Sequence, residues 1–154
     1  MVPDRSYVSI VLSGATLDPL FWNSYFSVNA DFSAVKGGDY TDRSGRRITS
    51  RSPRGLWIVS TEFRNEALAL DDHFQVLKSL LFLPRADFVA SLKSRSVNCL
   101  FSCFVANYNA TNPASLNAES KALAASCNAQ VDIDLYPQLQ KVKRADGALI
   151  DVQI

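Results

Sequence analysis

The sequence predicts a single α+β domain in which helices pack on a mostly antiparallel sheet. The length of 154 residues fits one hydrophobic core, because domains of about 100–150 residues are the commonest size. The content of 47% hydrophobic and 20% charged residues is typical of a globular chain. Segments with alternating apolar residues, which indicate strands, are interspersed with segments whose apolar residues recur every three or four positions, which indicate helices.

The N-terminal third begins with a predicted strand over residues 6–14, where large apolar residues alternate with smaller ones. A short helix follows, because Asp18 can cap it and Pro19 suits its first helical position. Its aromatic residues, spaced three to four apart, are expected to face the sheet. A modest strand is predicted over residues 29–35, and Gly37 begins the break after it.

The middle of the chain contains two predicted strands around a helical region. Residues 55–61 are rich in bulky apolar side chains, which favours a strand. A long helix is predicted to begin near Leu70, and Pro84 is expected to interrupt it and start a second helix. Residues 97–106 are apolar on both pleat faces, which predicts a strand that is covered on both sides or lies deep in the domain.

The last third continues with a turn-rich loop over residues 107–115 and a helix that Asn117 can cap. Residues 129–137 alternate between apolar and polar side chains and predict a strand. The dipeptide at residues 146–147, Asp-Gly, suits a tight turn, so a short hairpin is predicted in the tail.

The order of these elements predicts the topology. A strand–helix–strand–strand–helix–strand series is typical of the split-βαβ (ferredoxin-like) arrangement, a mostly antiparallel sheet with helices packed on it. The remaining helix and strand form an extra αβ unit. We therefore expect an α+β domain over residues 1–137 and a tail over residues 138–154 that includes the hairpin.

Five short motifs in this order carry a resemblance to a known family: Leu17-Asp18-Pro19, Gly37-Gly38-Asp39, Gly55-Leu56-Trp57, Leu70-Asp71-Asp72-His73 and Asp132-Ile133-Asp134-Leu135-Tyr136. With them, the chain resembles the bacterial family of domains of unknown function numbered 4279 over roughly residues 6 to 137. The resemblance implies a small standalone protein of a family in which some members are similar in style to immunity proteins that neutralise toxins, and it implies no activity. The arginine-rich insert between Asp39 and Gly55 is not a fixed element of that family.

This insert is the strongest polar signal in the sequence. Residues 36–54 contain six basic and two acidic side chains, a net charge of +4 within a chain whose net charge is +1. The basic residues are Lys36, Arg43, Arg46, Arg47, Arg51 and Arg54. Arginine forms bidentate pairs with carboxylates and phosphates, so the segment could bind an acidic protein surface or a nucleic acid. The structural alternative is a flexible, solvated connection between strands.

Catalytic and metal-binding chemistry is weakly indicated. His73, the only histidine, follows Asp71 and Asp72 where a helix start favours acids, so we favour a capping or packing role over catalysis. Asp132 and Asp134 share a strand face about 6.6 Å apart and could ligate a hard cation, but a solvated face is the better interpretation.

The three cysteines are interpreted as buried core thiols. Cys99 and Cys103 would lie about 13 Å apart on one strand, too far for a disulfide, and Cys127 lies on a predicted helix. So few cysteines, no apolar run long enough to cross a membrane and no secretory leader favour a cytoplasmic location.

From these features we expect a small, non-enzymatic, cytoplasmic binding protein that needs no cofactor. Its candidate partner is a toxin, neutralised by direct binding as an immunity protein does. Arginines and exposed aromatic residues such as Tyr40 and Tyr108 would anchor the interface. The alternative is a nucleic-acid-binding accessory protein that uses the arginine-rich segment. An enzyme built around His73 ranks last.

Overall fold

The computed structural model describes residues 5–66, 69–107, 115–137, 139–143, 145, 147 and 149–153. The strands are β1 (Arg5–Gly14), β2 (Phe32–Ala34), β3 (Asp39–Asp42), β4 (Arg47–Arg51), β5 (Gly55–Ser60), β6 (Asn98–Asn107), β7 (Gln130–Pro137), β8 (Leu139–Lys143) and β9 (Leu149–Gln153). The helices are α1 (Pro19–Phe26), α2 (Leu70–Leu80), α3 (Phe88–Ser94) and α4 (Ala118–Ser126), with a 3-10 turn at Thr61–Phe63. None of these helices is long and apolar enough to cross a membrane.

The main sheet has seven strands in the order β4-β3-β2-β5-β1-β6-β7. Strand β5 pairs antiparallel with both β1 and β2, and β1 pairs antiparallel with both β5 and β6. In the unit β1-α1-β2, strand β5 lies between β1 and β2, and in the unit from β5 through α2 and α3 to β6, strand β1 lies between β5 and β6. This interleaving confirms the predicted α+β class and split-βαβ sheet. Helix α4 leads into β7, which pairs parallel with β6 and forms the extra αβ unit.

The hydrophobic core lies between one face of this sheet and the helices. Phe26 of α1 stacks on Trp57 of β5 with ring centroids 5.1 Å apart, and Phe74 of α2 stacks on Phe101 of β6 at 5.0 Å. Helices α3 and α4 also contribute buried side chains to this core. Each large apolar side chain buried in this way contributes about 1.5–3 kcal/mol, so packing on a single sheet face holds the helices in place.

Two helix caps are confirmed. The Asp18 carboxylate accepts a hydrogen bond from the Leu20 backbone N–H at the start of α1, and the Asn117 side chain accepts one from the Ser120 N–H in α4. Both caps satisfy helical N–H groups that have no partner within the helix.

Strand β6 lies inside the sheet, but only one of its faces is fully buried. Phe101 and Cys103 face the helices and are inaccessible to solvent, whereas Leu100 and Phe104 on the opposite face are half-buried. The predicted two-sided burial is not observed, because the helices pack on the face of the sheet that carries Phe101 and Cys103.

The arginine-rich segment also differs from the solvated connection that we considered. Strands β3 and β4 pair antiparallel and extend the sheet at its edge as a hairpin. The predicted strand over residues 29–35 is correspondingly short, because only Phe32–Ala34 pair with β5, and of these only Phe32 and Ser33 also pair with β3.

In the tail, β8 pairs antiparallel with β9, from Leu139 opposite Gln153 to Lys143 opposite Leu149. Gly147, between these strands, has a φ of +88°, a backbone conformation that glycine adopts without strain. Asp146 and Tyr108, both singled out in the sequence, lie outside the described residues.

Candidate functional site

The hairpin divides the six predicted cations between its two ends. Three belong to its turn, which we call the basic turn: Arg43, Arg46 and Arg47. Three lie at the opposite end: Lys36, Arg51 and Arg54. The two groups are separated by the length of β4, about 13 Å at the usual strand rise. A segment that is contiguous in sequence therefore forms two separate cationic surfaces.

The basic turn is ordered by a carboxylate within it. One oxygen of Asp42, Oδ1, accepts hydrogen bonds from the Ser44 N–H at 3.0 Å, the Ser44 hydroxyl at 2.6 Å and the Arg46 N–H at 2.9 Å. Gly45 completes the turn with a φ of +84°. The hydrogen bond from the Ser44 hydroxyl is the main cause that lowers the pKa of Asp42, so this carboxylate stays ionised and holds the turn.

Arg43 attaches the turn to the body of the protein. Its guanidinium lies 5.2 Å from the centroid of the Phe63 ring, and its Nε lies 3.8 Å from Oδ1 of Asp31. The Asp31 side chain is 1% exposed, and its other oxygen accepts hydrogen bonds from the Ser60 N–H at 2.7 Å and from Arg64 at 2.5 Å. Arg43 therefore has an intramolecular partner, and Asp31, which the sequence analysis missed, is the centre of this cluster.

Arg46 and Arg47 are both exposed, and neither forms an ion pair with any described residue. Beside them, a cleft of about 630 Å³ separates the hairpin from the start of α1, and Arg47 lines it. Two apolar side chains in this cleft are unusually accessible, Leu20 at 73% and Val35 at 52%. Arg46, Arg47, Leu20 and Val35 together form what we call the candidate interface.

Strand β4 is the edge of the sheet, but its backbone is a poor template for another strand. The β3–β4 register shifts between Asp39 and Tyr40, which leaves extra residues on β4 as a bulge. Bulges and charged side chains on an edge disfavour strand addition, so we expect side chains to dominate recognition here. Tyr40, predicted as an exposed anchor, is half-buried because it lies within the hairpin opposite Ile48.

His73 and the two aspartates before it have different surroundings in the structure. His73 is completely buried on the core side of α2. Asp71 instead accepts hydrogen bonds from the Asn117 N–H at 2.9 Å and the Ser120 hydroxyl at 2.7 Å, so its carboxylate joins α2 to the start of α4. Asp72 is exposed. Asp71 thus has a packing role at a helix start, but the helix whose start it contacts is α4 rather than α2.

All three cysteines are buried free thiols, which confirms the interpretation from the sequence. Burial raises the pKa of Cys103 to about 12 and also raises the pKa of Cys99 and of Cys127. A thiol with such a raised pKa is a poor nucleophile at neutral pH.

Asp132 and Asp134 are exposed on β7, beside Ser102 and Phe104 of β6. In the part of the chain that the structure describes, no group of three or more His, Cys, Asp or Glu side chains is placed to hold a metal ion. A cation site at these two aspartates would therefore lack a third protein ligand of these types among the described residues.

A comparison with protein-family models gives a match over residues 4–138, described as "Domain of unknown function (DUF4279)". This range includes the whole seven-stranded sheet and all four helices. Comparisons with curated proteins and with solved structures give no significant match.

Proposed function

The chain belongs to the DUF4279 family, and from its geometry we propose that it is a non-enzymatic protein that binds an acidic partner protein through the candidate interface. The observation that carries this proposal is the pair of exposed guanidiniums, Arg46 and Arg47, on a turn ordered by Asp42 and attached to the body by Arg43. Exposed Leu20 lies beside them.

The physical argument is preorganisation. Because the turn already has its internal hydrogen bonds, binding need not immobilise a flexible loop, and less conformational entropy is lost. Arginine is a frequent energetic anchor of protein interfaces, and Arg47 lines the cleft beside exposed Leu20. Their charge would also accelerate encounter with an acidic surface, since complementary potentials raise association rates.

The specific partner that we propose is a toxin, which makes this chain an immunity protein. This part of the proposal is supported by the similarity in style of some members of the family to immunity proteins, and by the exposure of the Arg46 and Arg47 side chains. It requires the toxin to carry an acidic surface and to lose its activity when bound. Co-expression of such a toxin with this chain should restore growth, and failure to restore growth would contradict the immunity role while leaving partner binding open.

The experiment for partner binding is affinity capture from the organism that carries the chain, followed by quantitative mass spectrometry. Three baits are compared: the unchanged protein, the double variant Arg46→Glu/Arg47→Glu, and the control Lys78→Glu/Lys121→Glu. The control makes the same charge change at exposed lysines of α2 and α4. We expect a protein that the first and third baits enrich and the second does not. Equal enrichment by all three baits, or enrichment of none, contradicts the proposal.

Nucleic-acid binding is the second candidate, because unpaired guanidiniums bind phosphates as well as carboxylates. At the basic turn, Arg46 and Arg47 are the cations without an ion pair among the described residues. A nucleic acid bound at this turn would have about two phosphates neutralised, so the slope of log affinity against log salt concentration should be no steeper than about −2. Fluorescence anisotropy with labelled 30-nucleotide single- and double-stranded DNA, at two salt concentrations, tests this. DNA binding that the double variant Arg46→Glu/Arg47→Glu abolishes would favour a nucleic acid over a protein as the partner.

The cytoplasmic location and the absence of enzymatic activity stay predictions. Burial of Cys99, Cys103 and Cys127 as free thiols is compatible with a reducing compartment. Fractionation of the native cell followed by immunodetection would locate the protein directly.

A further inference from the structure

A second cleft, of about 880 Å³, lies at the end of the sheet opposite the basic turn. It is bounded by the C-terminal ends of α3 and α4 and by the first residues of β6 and β7. Its lining is mixed, and its apolar residues include Val89 and Val97. The volume is within the range of about 300–1,000 Å³ that small-molecule sites occupy.

The charges that line this cleft have one sign. Arg54 and Lys93 contribute to its wall, and no aspartate or glutamate does so among the described residues. Both side chains are exposed, and neither forms an ion pair with a described residue. The backbone of Arg54 is held in place, because the buried Ser52 hydroxyl donates to its carbonyl and accepts from its N–H at 3.4 Å. The cleft therefore contains two cations that have no internal counter-charge.

Three amide side chains, those of Asn98, Asn128 and Gln130, line the same cleft. They are exposed and form no hydrogen bond with any other residue for which the structure gives a position. Each amide offers two donors and an acceptor, so together with Arg54 and Lys93 they give the cleft many hydrogen-bond donors.

We propose that this cleft binds a small organic anion, with its carboxylate or phosphate held by Arg54 and Lys93 and its apolar body against Val89 and Val97. Charge-assisted hydrogen bonds to guanidinium and ammonium groups are the strong contacts for such an anion. The amides of Asn98, Asn128 and Gln130 would select among anions by hydrogen bonding. This site is separate from the candidate interface and does not depend on it.

The test is a nuclear magnetic resonance titration of the isotopically labelled full chain with two probes, benzoate and phenyl phosphate, and with uncharged benzyl alcohol as the control ligand. We expect amide shifts confined to Arg54, Lys93 and residues 97–100 and 128–130 with one or both anions, and much smaller shifts with benzyl alcohol. Saturation by benzoate alone identifies a carboxylate site, and saturation by phenyl phosphate alone identifies a phosphate site.

Variants separate this site from general attraction to a basic protein. Arg54→Gln/Lys93→Gln should weaken binding of the anion by about tenfold for each lost cation, the scale of a charge-assisted hydrogen bond. The control Lys78→Gln/Lys121→Gln removes the same charge at exposed lysines of α2 and α4 that do not line the cleft, and it should leave binding unchanged. Shifts spread over the surface, equal loss in both double variants, or no shift at millimolar anion would overturn the proposal.

Discussion

At the scale of single residues, Asp31 has the largest structural consequence for the candidate interface. Its buried carboxylate is shared by Arg64, by the Ser60 N–H and by Arg43 of the basic turn. Asp31→Asn should lower the free energy of unfolding by about 3 kcal/mol, because removing one partner leaves the Arg64 guanidinium without its counter-charge. Denaturant unfolding measures this change.

The matched control is Glu62→Gln, which removes the other carboxylate that forms an ion pair among the described residues. Glu62 pairs with Arg5 at 2.8 Å, but both side chains are substantially exposed, at 34% and 50%. Exposed pairs contribute about 0–1 kcal/mol, so this variant should unfold nearly as the unchanged protein does. Equal destabilisation by both substitutions would contradict the structural role of Asp31.

Tyr25 provides a residue-scale prediction about pH. Burial, reinforced by the hydrogen bond that its hydroxyl donates to Asp87 at 2.7 Å, raises its pKa to about 12. Because the folded pKa exceeds the unfolded value of about 10, the contribution of Tyr25 to stability is present below pH 10 and is lost as pH rises through 12. The absorbance titration curve of the Tyr25→Phe variant is subtracted from that of the unchanged protein. The difference, which reports Tyr25, should have its midpoint near pH 12, and a midpoint near pH 10 would refute this.

At the scale of elements, the side chain of Asp71 connects α2 to the start of α4. Its carboxylate satisfies the Asn117 N–H and the Ser120 hydroxyl at the start of α4. Asp71→Ala should cost about 1–2 kcal/mol, the effect of losing a helix cap, and the loss should be smaller when Ser120 is already alanine. A thermal or denaturant double-mutant cycle measures the coupling, and additive effects would show that the two residues do not interact.

The helix caps and the β3–β4 hairpin differ in how well the sequence predicts them. The caps at Asp18 and Asn117 were predictable because a cap depends on side chains within three residues of the helix start. The β3–β4 hairpin was not predicted as strands, because an edge hairpin has little buried face and so lacks strong apolar alternation. Its turn depends on three hydrogen bonds to Asp42, and a polar segment of this kind reads equally well as a loop.

At the scale of the whole molecule, the distribution of charge along the sequence was predicted better than the positions of the charged side chains in space. The sequence shows that residues 36–54 are basic, with a net charge of +4. It does not show that Arg43 is engaged by Asp31, or that Arg54 lies at the far end of the sheet beside Lys93, because both facts depend on how the hairpin packs. The order of the four core strands, β2-β5-β1-β6, was predictable, since the element series is typical of the split-βαβ topology, whereas the addition of β3 and β4 at the edge was not.

The central claim is that Arg46 and Arg47 bind an acidic protein partner, and the affinity of the captured partner for purified variants tests it most directly. Calorimetry should show that Arg46→Glu/Arg47→Glu weakens binding by at least about thirtyfold, the effect of roughly 1 kcal/mol for each interface arginine. The control Lys78→Glu/Lys121→Glu should bind within about twofold of the unchanged protein. Equal affinity of all three proteins, or equal loss in both double variants, would contradict the account.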